Sequence, residues 1–342
     1  MNSHFDNPLV EQRELLEGLR VVVLDDRKVI KVSGVDRLTW LHAMLSQNLA
    51  NLKPGQSADA LLLDANGRIE ENLQIIDDGE NSWLIVYAQH FEKLLTWLDQ
   101  MIFRSKVSVS AASELKVVGG FGEALAGSAI SNDVQLVWQD PWMAEPIGSV
   151  RYAVETSSRG PWNFWLALVS SATIDDLLAD RQQAGTLALD ALRVAAHRPA
   201  QPNELDDKTL PHELDWLSSA VNLSKGCYRG QESVAKVHNL GHPPRRLTLL
   251  HLDGSGHALA DAGDKVFVSG TDVEIGHITS IGQHFELGPI ALAVLNRNVD
   301  EKAALFVRTE VGEIAANQEV IVPQTAGQAA NMKEKRATLL GK

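Results

Sequence analysis

The chain has 342 residues, with 31 Lys plus Arg against 44 Asp plus Glu, and its formal net charge is −13. This length predicts two or three domains of about 100–200 residues each, and a hydrophobic fraction of 44% excludes a wholly disordered chain. The excess of acid disfavours general affinity for nucleic acid. The single cysteine, Cys227, cannot form an internal disulfide or hold an iron–sulfur cluster by itself.

The chain shows no sign of a membrane or secretory segment. Charged residues interrupt the N-terminus where a signal peptide would be apolar. The longest uncharged stretch near the middle, residues 160–174, is shorter than the about 20 residues that a membrane-spanning helix needs. We therefore expect a soluble, cytoplasmic protein.

The first third of the chain mixes strands and helices. Residues 21–24 and 29–32 are β-branched runs around Asp25-Asp26-Arg27, which predicts a hairpin. Asn66-Gly67 predicts a type I′ turn between two further strands. The other predicted elements are helices near 37–49 and 91–102 and strands at 60–63, 68–76, 83–87 and 107–109. Strands joined by hairpins and alternating with helices indicate α+β layers rather than a doubly wound parallel sheet.

The rest of the chain divides into a second α+β part and an all-β part. Residues 115–198 predict strands at 116–118, 135–138, 151–155 and 164–169 and helices at 173–183 and 187–195, and 199–223 is irregular. Beyond residue 245 short strands are predicted at 247–252, 265–268, 274–280, 290–294 and 305–307, which is typical of a small barrel or sandwich. We predict subdomains at 1–114 and 115–244, a barrel at 245–323 and a flexible tail at 324–342.

Unusual chemistry is concentrated in residues 224–232, where the only cysteine lies between two cations. Lys225 and Arg229 flank Cys227, and nearby positive charge raises the thiolate fraction of a thiol. The alternative is a small buried cysteine without reactivity. Five cations and one acid lie between Lys225 and Arg246, a local charge of +4 that could receive an anion. A solvated domain edge is the alternative for Arg245 and Arg246.

The segment Lys225–Glu232, Lys-Gly-Cys-Tyr-Arg-Gly-Gln-Glu, resembles the K-G-C-Y-x-G-Q-E signature of the YgfZ-type proteins. These are folate-binding factors for iron–sulfur proteins, related to the aminomethyltransferase (T-protein) of the glycine cleavage system. Weaker matches stand in the expected order at residues 34–37, 61–69 and 192–199. The resemblance covers roughly residues 20–323.

The resemblance implies a T-protein-like α+β fold of ferredoxin-like subdomains around a central cavity, followed by an all-β barrel. It implies tetrahydrofolate or a one-carbon derivative as cofactor, and iron–sulfur enzymes as partners, including enzymes that methylthiolate tRNA. Enzymatic turnover is left open, and no metal site, membrane partner or direct nucleic-acid contact is expected. The implied site residues are Cys227 and Glu71 as catalytic groups, with Lys225, Gly226, Tyr228, Arg229, Gly230, Gln231 and Glu232 around the cofactor.

Two departures from the family pattern concern folate. Folate-using transferases of the superfamily carry an acidic pair, whereas this chain reads Glu70-Glu71-Asn72, which leaves Glu71 as the candidate acid. Residues 194–197 lack the Glu that relatives use to hold the pterin, for which Glu204 or Asp206 could substitute. We also expect some of Trp138, Trp142, Trp162 and Trp165 to line a ligand cavity.

Three functions remain open at this stage. The leading one is a tetrahydrofolate-binding protein that supports the assembly or repair of iron–sulfur enzymes through Cys227. The first alternative is a folate-dependent one-carbon or aminomethyl transferase that uses Glu71. The second is a non-catalytic module whose basic strip, residues 225–246, docks an acidic partner or RNA.

Overall fold

The computed structural model describes residues 2–147, 150–156, 159–256 and 258–328. Its helices are α1 (Pro8–Leu16), α2 (Arg37–Met44), α3 (Ala88–Gln100), α4 (Ile174–Ala179), α5 (Thr186–Ala195) and α6 (Gln231–Leu240). Its strands are β1 (Arg20–Val23), β2 (Arg27–Ser33), β3 (Ser57–Leu63), β4 (Ile69–Asp77), β5 (Asn81–Tyr87), β6 (Ser108–Ala111), β7 (Leu115–Phe121), β8 (Ile130–Ser131), β9 (Val134–Gln135), β10 (Val137–Gln139), β11 (Phe164–Ser170), β12 (Gln182–Gln183), β13 (Arg245–Leu252), β14 (Lys265–Val268), β15 (Glu274–His284), β16 (Gly288–Asn296), β17 (Leu305–Arg308) and β18 (Glu313–Val320).

The first sheet has the strand order β3-β4-β5-β2-β6, and all its pairs are antiparallel. Its outer face packs on α2 and α3. In α3 the buried residues Phe91, Leu94 and Leu98 recur at helical spacing, so one stripe of the helix covers Leu73 and Leu84 of the sheet. The predicted α+β character of this part is confirmed.

The second sheet has the order β10-β11-β7-β1-β12 and shares its core with the inner face of the first sheet. The predicted hairpin of residues 21–32 is wrong, because β1 pairs with β7 and β12 whereas β2 pairs with β5 and β6. Both runs are buried strands, but the short connection at 24–26 carries the chain from one sheet to the other. The N-terminal strand therefore ties the two sheets together.

The C-terminal part is a closed barrel in the order β13-β16-β15-β14-β17-β18. The predicted barrel is confirmed, and five of its strands match the predicted runs. The sixth strand, β18, was not predicted, since its sequence EIAANQEV alternates burial but is poor in β-branched and aromatic residues. The barrel packs against α5, where Gly282 lies so close that a Cβ would come 2.6 Å from Ala191 Cα.

Local corrections concern turns and helix ends. Residues 151–155 form no strand, and the helix predicted over 173–183 ends at Ala179 and is followed by β12. The turn at Asn66-Gly67 exists, but only Gly67 has a positive φ, of 78°, so it is not type I′. Asp64 accepts hydrogen bonds from the N–H groups of Asn66 and Arg68 and sets the turn instead.

Two further predictions concern the C-terminal tail and membrane-spanning helices. The predicted tail falls mostly on residues 329–342, which lie outside the described residues. Among the described residues no helix is both long and apolar enough to cross a membrane.

Candidate functional site

A cavity of about 250 Å³ lies between the two sheets and the start of the irregular segment after α5. Strand β4 contributes Asn72 and Gln74, and α5 contributes Asp190 and Arg193. Arg198 lies at the base of the segment that follows α5. The volume is slightly below the about 300–1,000 Å³ of pockets that take drug-sized molecules, so it matches a heterocycle better than a long ligand.

Aromatic side chains form one wall of this central cavity. Trp138, Trp162 and Phe164 line it, and the rings of Trp162 and Phe164 lie 4.9 Å apart. The indole N–H of Trp162 donates to Asp140 at 2.7 Å, which fixes the ring. Of the four tryptophans expected at a cavity, Trp138 and Trp162 line this one. Trp142 is buried beneath the guanidinium of Arg198, 5.0 Å from its ring.

A buried ion network supports the floor of the cavity. Arg198 donates to Asp140 at 2.9 Å and to Asp59 at 3.0 Å. Desolvation would lower the pKa of Arg198, but the ion pairs outweigh it and the pKa is raised. Burial raises the pKa of Asp59, although Arg198 opposes this. Asp59 also accepts from the amide of Asn72 at 2.6 Å, so Asn72 turns its oxygen to the amide of Gln74.

Two residues that line the cavity have buried atoms without a hydrogen-bond partner among the described residues. One is the acceptor Oδ1 of Asp26, and the other is the donor Nη1 of Arg198. Buried polar atoms in proteins are nearly always paired, and each exception calls for a cause such as a missing ligand. The residues that line the cavity thus include one with an unpaired acceptor and one with an unpaired donor, while the other oxygen of Asp26 is paired with Arg27. Sequence reasoning missed both residues: Asp26 lies in a connection between the two sheets, and Arg198 lies in the weak family match at residues 192–199, which assigned it no role.

The carboxylates expected to replace the missing pterin ligand do not line the central cavity. Glu204 is 3% exposed and accepts from Arg193, the Ala200 N–H, Thr279 and Ser280, so it joins α5 to the barrel. Asp206 is held by Arg245 through two hydrogen bonds. The carboxylates that do line the cavity are Asp26, Asp140 and Asp190.

Glu71 faces away from the central cavity, because successive side chains of β4 point to opposite faces of the sheet. Its carboxylate contacts the imidazole of His90 at 3.0 Å and accepts from Gln201 at 2.9 Å. Burial raises its pKa to about 7, although the Gln201 hydrogen bond opposes this. His90 and Gln201 border a second cavity of about 480 Å³. This placement counts against Glu71 acting on a ligand of the central cavity.

Lys225 anchors the signature segment, residues 225–232, to the end of α2. The ammonium of Lys225 donates to the carbonyl oxygens of His42 and Leu45, the latter at 2.6 Å, at the end of α2. Burial lowers the pKa of Lys225 to about 8, although Cys227 opposes this. Tyr228 lies under the ammonium, 5.0 Å from it, and burial raises its pKa to about 12. Cys227 itself is exposed, so the buried-cysteine alternative is wrong.

The second half of the signature packs on the turn after β3. Gly230 has a φ of 81°, and a Cβ there would lie 2.5 Å from Asp64 O. Arg229 forms an ion pair of 2.9 Å with Glu70, and the Gln231 amide donates to Lys225 O at 3.4 Å. Glu232 is exposed in the first turn of α6. None of the signature residues 225–232 lines the central cavity or the second one.

The predicted basic strip is not a free cationic surface. Lys225 and Arg246 are buried, and Arg246 is 0% exposed. Arg229 is paired with Glu70, and Arg245 with Asp206 and Glu213. Lys236 is the one of these five cations that is exposed and forms no ion pair with a described residue. The local charge of +4 is therefore mostly neutralised by acids from distant parts of the chain.

The chain was compared with known proteins at three levels. It matches no family model. It is 24% identical over 321 residues to the tRNA-modifying protein YgfZ of Aliivibrio fischeri, which covers 92% of this chain and 96% of that protein. The YgfZ protein of Klebsiella pneumoniae is 24% identical over 305 residues, 86% of this chain and 91% of that one.

Among solved structures, the aminomethyltransferase T of the glycine cleavage system from Bartonella henselae superposes with a TM-score of 0.70. The match covers 94% of this chain and 90% of that chain at 21% sequence identity, and it shows the fold. The resemblance found in the sequence is thus confirmed: the chain is related to the YgfZ-type proteins over most of its length and has the fold of the glycine cleavage T-protein.

Proposed function

We propose that this protein binds tetrahydrofolate or a one-carbon derivative in the central cavity and supports the assembly or repair of iron–sulfur enzymes through Cys227. The unpaired atoms of Asp26 and Arg198 carry the first half of the proposal. The edge of a pterin ring presents both N–H donors and ring acceptors, so it can pair with both atoms. Its flat face suits the wall formed by Trp162 and Phe164.

The residues that would hold the group bind and orient it. Asp26 would accept from a ring N–H, Arg198 would donate to a ring acceptor, and Trp138 and Trp162 would exclude water. Bound tetrahydrofolate would supply a carrier for a one-carbon unit. Asn72 stands in the cavity where the related transferases have an acid, and an amide neither gives nor takes a proton near pH 7. This favours binding over the transferase alternative.

Cys227 carries the second half of the proposal. The thiol is exposed on a segment that Lys225 anchors to α2, so it is presented to solvent on a fixed support. Since the chain has one cysteine, any cluster it serves belongs to another protein. That residues 225–232 contact the folate stays a prediction of the resemblance.

Calorimetric titration with tetrahydrofolate under reducing conditions tests the cavity. We expect Asp26→Asn to weaken binding about tenfold or more, since a hydrogen bond to a charged group contributes about 1.5–3 kcal/mol. Asp25→Asn is the matched control, because Asp25 is exposed and does not line the cavity. Equal affinity of the two variants, or no binding by the unmodified protein, would contradict the folate assignment.

The thiol is tested separately. In cells that lack the native gene, Cys227→Ala should fail to restore the activity of an iron–sulfur enzyme that methylthiolates tRNA, whereas Ser224→Ala, at an exposed neighbouring position, should restore it. Folate affinity of the Cys227→Ala protein should be unchanged, because Cys227 does not line the cavity. Full restoration of enzyme activity by Cys227→Ala would rule out the role of the thiol.

A further inference from the structure

Strand β6 forms an open edge of the first sheet. It pairs with β2 on one side, and no strand of the described residues lies on its other side. The opposite edge of the same sheet, β3, is covered: the Gln139 N–H donates to the Ser57 hydroxyl at 3.2 Å, and the Trp138 indole donates to Ala58 O at 2.9 Å. The two edges of this sheet therefore differ in whether they can accept another strand.

The main-chain groups of β6 that face outward follow from the ladder with β2. The Ala112 N–H donates to Val29 O at 2.9 Å, so Ala112 points toward β2. Successive residues of an antiparallel strand point their N–H and C=O groups to alternate sides. Val109 and Ala111 therefore point their N–H and C=O groups away from β2.

Edge strands usually carry a charge, a proline or a bulge that prevents another strand from adding. The sequence of β6 is Ser-Val-Ser-Ala, which has none of these, and its register with β2 is regular. Ser108, Ser110 and Ala111 are exposed. Apart from its length of four residues, the strand lacks these protections, so its open side can accept the backbone of another polypeptide.

Apolar and basic side chains stand at the start of this edge. Val35 is 79% exposed and Phe103 is 82% exposed. Their loops touch, since the Lys106 N–H donates to the Asp36 carboxylate at 2.7 Å. Phe103 has a φ of 41°, a conformation that an L residue adopts at a cost and that asparagine or glycine tolerates better. Arg104 and Lys106 are exposed beside it.

We propose that this edge surface, defined as strand β6 with Val35, Phe103, Arg104 and Lys106, docks an extended segment of a partner protein by strand addition. The backbone of the segment pairs with Val109 and Ala111. An acidic side chain of the segment contacts Arg104 and Lys106, and an apolar one covers Phe103. A polypeptide fits better than RNA, because repeated main-chain donors and acceptors match a polypeptide backbone and two cations would neutralise few phosphates.

The probe is a capped peptide of about ten residues of alternating valine and threonine with two glutamates at one end. With this peptide, hydrogen exchange at the Val109 and Ala111 amides of the full chain should slow. Ala111→Pro should weaken binding about tenfold, since it removes an outward N–H and blocks pairing. A peptide with lysines in place of the glutamates should also bind more weakly.

Phe103→Asn separates the apolar contact from stability. Asparagine suits the positive φ, so this variant should stay folded while binding weakens several-fold. Val311→Asn is the matched control, because Val311 is also 82% exposed but lies in the barrel part of the chain, and binding should not change.

Two results would overturn the proposal. One is an absence of amide protection at saturating peptide, or equal binding by Ala111→Pro. The other is protection of Val109 and Ala111 in the free protein that grows with protein concentration, which would mean that a second copy of this chain occupies the edge.

Discussion

Substitution of Glu204 tests how the irregular segment after α5 is attached to α5 and to the barrel. Its side chain is fully buried, and the carboxylate accepts from Arg193 at 3.1 Å and from the Ala200 N–H at 2.7 Å. On its other oxygen it accepts from Thr279 at 2.8 Å and Ser280 at 2.5 Å. Removal of this carboxylate would leave a buried guanidinium with less of its counter-charge, because the remaining acid at Arg193, Asp190, has a side chain 47% exposed.

The expected loss is large for one residue. Breaking a buried ion pair by removing one partner costs about 3–5 kcal/mol. We expect Glu204→Ala to lower the free energy of unfolding by an amount in that range, and Glu204→Gln by about 1.5–3 kcal/mol, because the amide keeps the shape and one acceptor oxygen. Surface substitutions usually change it by within about 0.5 kcal/mol, so Glu310→Gln at an exposed position is the control.

Urea unfolding followed by tryptophan fluorescence measures this loss, and folate titration of the same proteins gives a second readout. Because Glu204 does not line the central cavity, a folded Glu204→Gln protein should keep its folate affinity. A loss below about 1 kcal/mol for Glu204→Ala would refute the structural role. Unchanged stability with lost folate affinity would instead support Glu204 as a pterin ligand.

Three further predictions concern the signature and β4. Gly230→Ala should destabilise the protein and displace the signature, since Gly230 has a positive φ and a Cβ there would lie 2.5 Å from Asp64 O. Gly226→Ala should be tolerated, because a Cβ at Gly226 would have no atom within 4 Å. Thermal unfolding of the two variants measures the difference. Lys225→Ala should cost about 1.5–3 kcal/mol in urea unfolding through lost hydrogen bonds, and a cost near zero would contradict the anchoring role. Because the pKa of Glu71 is raised, the folded state binds more protons than the unfolded state between pH 4.5 and about pH 7. The free energy of unfolding should therefore fall by up to about 3 kcal/mol as pH rises through that window. Unfolding of Glu71→Gln across this window should lack that slope, and an identical profile would disprove the assignment.

Local patterns in the sequence predicted much of the fold. Helix α3 could be identified because its apolar residues recur at helical spacing, and most barrel strands because short β-branched runs alternate with Gly and Asp turns. The eight-residue signature indicated the family and hence the T-protein fold. These properties depend on residues that are close in the chain.

The site depended on contacts between distant residues. The alternation of β4 requires Glu71 and Asn72 to face opposite ways, but only the packing of the two sheets decides which one faces the cavity. The prediction of a hairpin at residues 21–32 was wrong for a related reason. Which strand β1 or β2 pairs with depends on the core that buries it, and β1 pairs with β7 whereas β2 pairs with β5.

The sequence by itself determined the composition, most of the element types and the signature with its lone, flanked cysteine. Only the tertiary structure decided which charges are free. Arg229 meets Glu70 across 159 positions, and Arg245 meets Asp206 across 39, so a strip that is basic along the chain is largely neutral in space. The physical reason is that Coulomb interactions depend on distance and burial in the folded molecule, whereas a count of neighbouring charges registers only order along the chain.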